Sequence, residues 1–174
     1  MRWNWMRVST ERLEMRACSV EVARVLARGD SDVEALLGAR LPEGWPTPEL
    51  RGLLPLYAAQ VEADPSALGW GVWLMVHRGD GTVIGDLGFK GKPDGGGRVE
   101  IGYRVVPAYR RRGYATEATR ALVDWALAQE GVARILAECD PDNVGSIRVL
   151  EKLGMRRLEG GGGLLRWELR AGGK

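Results

Sequence analysis

Residues 110 to 116 read Arg110-Arg111-Arg112-Gly113-Tyr114-Ala115-Thr116, directly after a strand-like run and at the start of a long amphipathic helix. The first N–H groups of a helix have no intrahelical partners, and together with the helix dipole they favour a bound anion. Gly113 lacks a Cβ that would block a ligand, and the arginine guanidinium groups match phosphate oxygens. These features predict a loop that holds a polyphosphate, largely through main-chain groups.

The spacing Arg-x-x-Gly-x-Ala differs from that of the better-known nucleotide loops. The segment contains no Gly-x-Gly-x-x-Gly, and no Gly-Lys followed by Ser or Thr, so dinucleotide and ATP sites are disfavoured. The alternative interpretation of Arg104 and the three loop arginines is a solvated basic surface. The glycine and the helix beside them favour the phosphate interpretation.

The segment resembles the coenzyme A loop of the GNAT superfamily of N-acetyltransferases, whose pattern is Gln/Arg-x-x-Gly-x-Gly/Ala. Three further segments follow the order of that family: Thr10-Glu11-Arg12-Leu13, Glu100-Ile101-Gly102-Tyr103, and the run Asn-x-x-Ser-x-x-x-Leu-Glu-Lys-Leu-Gly from Asn143 to Gly154. Together they resemble the RimJ/RimL-type branch, which acetylates ribosomal-protein N-termini. The resemblance covers residues from about 10 to 169.

Length and composition are those of one globular domain, expected to span residues 1–174. The chain has 174 residues, of which 45% are hydrophobic and 28% charged. No apolar run approaches the roughly 20 residues that cross a bilayer, and the first residues lack a signal-peptide pattern. We therefore expect a cytoplasmic protein with no membrane partner. Cys18 and Cys139 are the two cysteines, and we expect both to be buried free thiols.

The formal net charge of +2 is small, and acidic and basic residues are mixed along the chain. Nucleic-acid domains concentrate basic charge on one face and often interleave it with aromatic residues. This chain shows no such stripe, so we expect no nucleic-acid partner. The sequence leaves open a monomer or a homodimer, and Trp3 and Trp5 read either as a subunit contact or as a packed extension.

Hydrophobic periodicity and turn residues predict a mixed α/β domain with a mostly antiparallel central sheet of about six to seven strands and helices on both faces. The expected strands are 14–17, 70–77, 83–89, 98–106, 133–139, 156–159 and 164–169. The expected helices are 20–27, 32–37, 50–62, 114–129 and 143–153. Asp80-Gly81 reads as a hairpin turn, and Gly160 to Gly163 as a flexible turn. The resemblance adds that the fourth and fifth of these strands splay apart around a pantetheine arm.

The resemblance implies acetyl-CoA as co-substrate and assigns its contacts. Val105 and Val106 would pair through their main chains with the pantetheine amides, and residues 110–116 would surround the pyrophosphate. The N–H near Val105 would also stabilise the thioester oxyanion. Asn143 would contact the pantetheine, although a helix N-cap explains this residue equally well.

For proton transfer, Glu100 is the first candidate for a general base, acting through water, and a paired structural carboxylate is the alternative. Glu138 is a weaker candidate, and Glu117 is better explained as a helix-dipole partner. The helix after the fifth expected strand contains no tyrosine, where many GNAT enzymes have one. The resemblance offers Ser146 as the proton donor, with an ordinary polar helix position as the alternative.

Nothing in acetyl transfer requires a metal, and the single histidine, His77, together with two widely separated cysteines makes no zinc motif. We interpret His77 as structural or surface. A Ser-His-Asp triad is disfavoured, because no Gly-x-Ser-x-Gly elbow is present.

The leading hypothesis is direct transfer of an acetyl group from acetyl-CoA to a primary amine within a ternary complex. The best single candidate for the acceptor is the N-terminal amine of a protein, such as a ribosomal protein. Deprotonating a lysine at neutral pH costs roughly 3.5 kcal/mol more than deprotonating an α-amine. The alternatives are acetylation of a small amine, amino acid or antibiotic, and a non-catalytic acyl-CoA sensor. Trp45 either lines the acceptor groove or packs as a hydrophobic staple for its loop.

Overall fold

The computed structural model describes residues 6–160 and 162–172. Within these ranges the chain forms eight β-strands and five α-helices. The strands are β1 (Arg7–Ser9), β2 (Leu13–Ala17), β3 (Val72–His77), β4 (Thr82–Phe89), β5 (Arg98–Val105), β6 (Arg134–Cys139), β7 (Arg156–Leu158) and β8 (Leu165–Arg170). The helices are α1 (Val20–Arg28), α2 (Val33–Leu37), α3 (Pro48–Ala63), α4 (Tyr114–Leu127) and α5 (Val144–Lys152).

The strands form one sheet in the order β1-β2-β3-β4-β5-β6-β8-β7. Every neighbouring pair is antiparallel except β5 and β6, which are parallel. The mixed α/β fold and the mostly antiparallel sheet are confirmed. The seven strands expected from the sequence omit β1, because β1 has only three residues and shows no alternation long enough to identify it.

The β5–β6 ladder is much shorter than either strand. Its pairs are Arg98 with Arg134, Val99 with Ile135, and Glu100 with Leu136. Beyond this point β5 continues along β4 as far as Val105, and β6 continues along β8 as far as Cys139. The two strands therefore diverge towards their carboxyl ends and leave a V-shaped opening in the middle of the sheet.

Helices cover both faces of the sheet. Trp73 of β3 and Phe89 of β4 pack on Trp125 of α4, with ring centroids 5.2 and 6.1 Å apart respectively. Asp86, three residues before Phe89, instead accepts a hydrogen bond from Trp45 in the loop before α3. Since alternate strand residues point to opposite faces, α4 lies on one face, and α3 with its preceding loop lies on the other.

The helix α4 is amphipathic in the way that its sequence indicates. Ala118, Leu122 and Ala126 are fully buried against the sheet. This packing anchors the helix whose first turn follows the arginine loop, so the position of that turn is set by the core.

The turns that the sequence predicts are present in the structure. In the Asp80-Gly81 turn, Gly81 has φ +61 and its N–H donates to the His77 carbonyl at 2.9 Å. Strands β7 and β8 form the expected final hairpin. Trp3, Trp5 and Gly161 lie outside the described residues.

Cys18 and Cys139 are buried and free, as expected. Burial raises the pKa of the Cys18 thiol far above its ordinary value, so this thiol stays protonated and unreactive. Over residues 6–160 and 162–172, no helix combines the length and the apolar character needed to cross a bilayer.

Candidate functional site

The first turn of α4 has unpaired donors and no side-chain cap. Gly113 is the N-cap residue with φ +82, and the Glu117 N–H donates to its carbonyl at 3.0 Å as the first helical hydrogen bond. The N–H groups of the three residues between them therefore have no intrahelical acceptor. Arg111 also has positive φ, +63, and such alternation of backbone conformation makes N–H groups converge on an anion. The turn therefore offers free main-chain donors at a helix N-terminus, and its role as a phosphate loop stays a prediction.

Side chains on both sides hold this loop in place. The Arg110 Nε donates to the Val105 carbonyl at 2.7 Å, which ties the loop to the end of β5. Tyr114 is buried, and its hydroxyl lies 2.9 Å from the His77 Nε2. The interpretation of His77 as a structural residue agrees with this contact. Arg111 and Arg112 remain exposed, so their charge faces the solvent in front of the loop.

Glu117 connects the first turn of α4 to the segment before β2. Its carboxylate accepts hydrogen bonds from the Thr10 hydroxyl at 2.7 Å, the Arg12 N–H at 3.0 Å and the Arg12 Nε at 2.7 Å. Burial raises the pKa of Glu117, but these hydrogen bonds outweigh burial and bring the pKa below its ordinary value. The sequence explains Glu117 only as a partner of the helix dipole. In the structure Glu117 also connects α4 to Thr10 and Arg12, which lie more than 100 residues earlier in the same chain.

We expect Glu117→Gln to destabilise the fold at neutral pH, by on the order of 1 kcal/mol after solvent screening. The folded pKa of Glu117 lies below the unfolded one. The contribution of the charge is therefore complete above the unfolded pKa and disappears as pH falls through the folded pKa. The gap between the urea midpoints of the variant and wild type should be largest at pH 7 and should shrink steadily as pH falls below the unfolded pKa. The exposed Glu62→Gln variant is the control, and a gap that does not shrink in acid would contradict this role.

The V-shaped opening contains a cleft of about 320 Å³. It is lined by Lys90, Ile101, Gly102, Tyr103, Glu138, Cys139, Asp140, Asn143, Ser146 and Leu164. The structure therefore brings the predicted residues Asn143 and Ser146 together at the opening between β5 and β6. The Asn143 Oδ1 accepts from the Ser146 N–H at 3.0 Å, which confirms the N-cap interpretation of Asn143. Its contact with pantetheine stays a prediction.

Tyr103 is a cleft residue that sequence reasoning did not assign to catalysis. Its hydroxyl donates to the Ser146 carbonyl at 3.4 Å. Burial raises the pKa of Tyr103 above its ordinary value, so the phenol is protonated at neutral pH. Two hydroxyl-bearing residues, Tyr103 and Ser146, thus line the cleft. The role of Ser146 as proton donor stays a prediction.

The main chain of β5 presents donors to this cleft. The Val106 N–H donates to the Ile84 carbonyl at 2.8 Å, so Val106 faces β4 in the ladder. Since N–H directions alternate along a strand, the N–H groups of Ile101, Tyr103 and Val105 point away from β4 and into the V. Val105 fits the predicted oxyanion and pantetheine role, whereas the Val106 N–H is already engaged and its carbonyl accepts from Tyr109.

The two carboxylates considered as bases are both paired. Glu100 forms an ion pair with Lys90, and Glu138 lies 3.7 Å from Arg166. Glu100 occupies the same face of β5 as Gly102, on the side of α3. Its role as the general base stays a prediction.

A second, shallower groove of about 540 Å³ starts at the first turn of α4 and follows the outer side of this helix to the end of α5. It is lined by Thr10, Gly113, Thr116, Glu117, Arg120, Ala121, Asp124 and Lys152. The Arg120 side chain donates to the Lys152 carbonyl at 2.8 Å. Arg120 and Lys152 supply positive charge at this end of the groove, and Glu117 and Asp124 supply negative charge along it.

Asp86 is a half-buried carboxylate on the other side of the sheet. Its Oδ2 accepts from the Trp45 Nε1 at 2.8 Å. Burial raises the pKa of Asp86, and the Trp45 hydrogen bond and the charge of Arg104 only partly offset it. Trp45 is only 4% exposed, which agrees with the packing interpretation of this residue. Sequence reasoning missed Asp86, although it is the only charged residue in the apolar run Val83–Phe89.

Among the described residues, no group of three or more His, Cys, Asp or Glu side chains could hold a metal ion.

Residues 12–156 match the family model described as the acetyltransferase (GNAT) domain. The chain therefore belongs to the GNAT acetyltransferase family and is an N-acetyltransferase that depends on acetyl-CoA. It is 32% identical over 147 residues to the uncharacterized N-acetyltransferase YjdG of Bacillus subtilis, covering 84% of this chain and 88% of that protein.

Two solved structures show the same fold. One is the ribosomal-protein-S5-alanine acetyltransferase of Vibrio fischeri, with a TM-score of 0.67, 18% identity and coverage of 96% of this chain and 97% of that one. The other is RimL, a ribosomal L7/L12 alpha-N-protein acetyltransferase in complex with coenzyme A, with a TM-score of 0.67, 17% identity and coverage of 94% and 97%. At these identities the likeness concerns the fold.

Proposed function

We propose that this enzyme transfers the acetyl group of acetyl-CoA directly to the α-amine at the N-terminus of a protein. The observation that supports the proposal is that three features of the surface adjoin one another. The uncapped first turn of α4 lies beside the charged groove, and the end of β5 links that turn to the cleft between β5 and β6. A ligand fits this arrangement when its diphosphate binds at the helix turn, an anionic arm lies in the groove and a peptide-like arm extends to the cleft.

In this proposal the N–H groups of Tyr114, Ala115 and Thr116 hold the pyrophosphate, because they are unpaired and at the positive end of the helix. Gly113 allows the close approach. Arg111 and Arg112 add charge from the solvent side, and Arg110 acts through its hydrogen bond to Val105 by holding the loop.

The pantetheine arm lies along β5, where the N–H groups of Val105 and Tyr103 point into the V. The thioester then lies in the cleft beside Gly102, Asn143 and Ser146. A main-chain N–H of β5 stabilises the oxyanion, and the hydroxyl of Tyr103 or Ser146 protonates the departing thiolate. Direct transfer requires no acyl-enzyme, so a nucleophilic side chain is not needed.

The choice of an α-amine rests on the cost of deprotonation. An α-amine has a pKa of about 7.7 to 8.0, against about 10.4 for lysine, so far more of it is neutral at pH 7. The fold likeness to two ribosomal-protein acetyltransferases supports a protein N-terminus over other α-amines.

The pure protein should release coenzyme A thiol from acetyl-CoA when given short peptides that have a free α-amine and no lysine. We expect kcat/KM for these peptides to exceed that for Nα-acetylated peptides with one lysine by at least about tenfold, since the difference in pKa favours them. Initial rates should fit a ternary-complex pattern with intersecting lines. Turnover only with free amino acids or other small amines would replace the protein acceptor with a small one. Tight binding of acetyl-CoA without turnover on any amine would show a sensor.

A further inference from the structure

The α3 side of the sheet is open over part of β5, although β5 lies in the middle of the sheet. Gly102 and Arg104 are exposed on this side, and Glu100 is half-buried. Gly102 also lines the cleft, and a Cβ built on it would meet nothing within 4 Å. We call this open surface of Glu100, Gly102 and Arg104 the groove; it meets the cleft at Gly102, on the face opposite α4.

Asp86 lies at the edge of this groove with one oxygen available. Its ladder partner on β5 is Arg104, and the next pair on the same face of the sheet is Gly88 with Gly102. The diagonal between Asp86 and Gly102 in such a ladder is about 7–8 Å. Gly88 and Gly102 have no side chains, so these two positions leave the space between Asp86 and the cleft open.

The hydrogen bonding of Asp86 is incomplete. Trp45 donates to Oδ2, and within the described ranges Oδ1 has no hydrogen bond and Asp86 no ion pair. Asp86 is only half-buried, so part of its side chain is accessible. Arg104, the ladder partner of Asp86, forms an ion pair with Glu49 at 3.6 Å, and its charge only partly offsets the effect of burial on the pKa of Asp86. A carboxylate left with a free, reachable oxygen beside a cleft is suited to bind a cation.

We propose that Asp86 binds the ammonium group of the acceptor and takes its proton, making Asp86 the general base of the acetyl transfer. This inference rests on the proposed function. Under it, Glu100 remains engaged with Lys90 and contributes to the charge of the groove.

The charges around Asp86 agree with this role. Arg104 of β5 and Glu49 of α3 form a pair with each other, and Leu74 of β3 is the apolar ladder neighbour. Beyond Leu74 lies Arg16 of β2, which is bound to Glu14. The raised pKa of Asp86, caused by burial, brings the carboxylate closer to neutral pH, where a general base is most effective.

The reaction balances without a further reagent. The acceptor ammonium transfers one proton to Asp86, and the neutral nitrogen forms a bond to the thioester carbonyl carbon. The C–S bond then breaks, the nitrogen loses its second proton, and the thiolate receives it through a cleft hydroxyl. The products are the acetylated amine and coenzyme A thiol, and Asp86 returns its proton to the solvent.

The test is Asp86→Asn, which retains an oxygen for the Trp45 hydrogen bond. With a peptide α-amine as acceptor, we expect kcat/KM to fall at least about 100-fold while the Kd for acetyl-CoA stays unchanged. With hydroxylamine, which is largely neutral at pH 7, the loss should be less than about tenfold. Asp30→Asn, at an exposed loop position after α1, is the matched control and should behave as wild type.

Three results would overturn the proposal. One is wild-type activity in Asp86→Asn, another is an equal loss with both acceptors, and the third is a larger loss in Glu100→Gln than in Asp86→Asn. Wild-type protein that turns over no amine would refute the proposed function and this role together. Wild-type turnover that Asp86→Asn keeps would refute this role alone.

A second variant tests the same group through pH. The hydrogen bond from Trp45 stabilises the charged form of Asp86, so Trp45→Phe should raise the pKa of Asp86 further. Since the base must be deprotonated, the acid limb of the kcat/KM profile should move to higher pH. An acid limb that stays in place, in a variant with unchanged acetyl-CoA affinity, would contradict the assignment.

Discussion

Gly113→Glu should raise the Kd for acetyl-CoA at least about 100-fold, which corresponds to about 2.8 kcal/mol of binding free energy. Two effects act together. Gly113 has φ +82, a conformation in which any Cβ is strained, so the first turn of α4 would shift. The added carboxylate would also lie at the anion end of the helix and repel the diphosphate.

The matched control is Gly131→Glu. Gly131 has φ +86 and precedes β6, and a Cβ there would meet nothing within 4 Å. The same strain and the same charge are therefore introduced away from the loop. Isothermal titration with acetyl-CoA should show a weakened Gly113 variant and a wild-type Gly131 variant. Equal affinities in the two variants would show that the α4 turn does not hold the ligand.

Trp73→Ala should reduce the free energy of unfolding by about 3–5 kcal/mol. Trp73 is fully buried and packs edge-on against Trp125, with centroids 5.2 Å apart. Its Nε1 donates to the Gly69 carbonyl at 2.8 Å. The substitution leaves a cavity under α4 and an unpaired carbonyl. For a domain whose total stability is about 5–15 kcal/mol, this is a large fraction.

Thermal unfolding measures the effect. At about 2–4 °C per kcal/mol for a chain of this size, the midpoint should fall by about 6–20 °C. Trp73→Phe, which keeps most of the ring, should lose less. Leu56 is 60% exposed on α3, so Leu56→Ala serves as the control with little change. A Trp73→Ala midpoint within 2 °C of wild type would contradict the described packing of α4 on β3.

The fold was largely predictable from local patterns. The apolar run of β3, the Asp80-Gly81 turn and the spacing along α4 each have a periodicity or a turn residue that points to one structure. Strand β1 has neither, and its three residues pair with β2 because the sheet offers an edge. The divergence of β5 and β6 came only from the family resemblance, because it depends on which strands neighbour each other over which residues.

In the candidate site, too, local features were predictable from the sequence and features that depend on strand pairing were not. The turn at Gly113 was predictable, because helix-initial N–H groups and a glycine act locally. The engagement of the Val106 N–H with Ile84 was not, since it depends on the register of β4 against β5. The Lys90–Glu100 pair likewise depends on that ladder.

Asp86 illustrates why the rest could not be read directly. A single acidic residue in an apolar strand is a visible anomaly, because burying a carboxylate is costly. Its meaning depends on Trp45, 41 positions earlier in the chain, and on glycines that leave the adjacent face of the sheet open. Those partners meet only in the folded chain.

The central claim is that the first turn of α4 and the opening between β5 and β6 together hold acetyl-CoA for transfer to an amine. A crystal structure with acetyl-CoA tests it most directly. We expect the diphosphate within hydrogen-bonding distance of the N–H groups of residues 114–116, and the thioester between Gly102 and Ser146. A ligand bound elsewhere, or a thioester outside this cleft, would contradict the account.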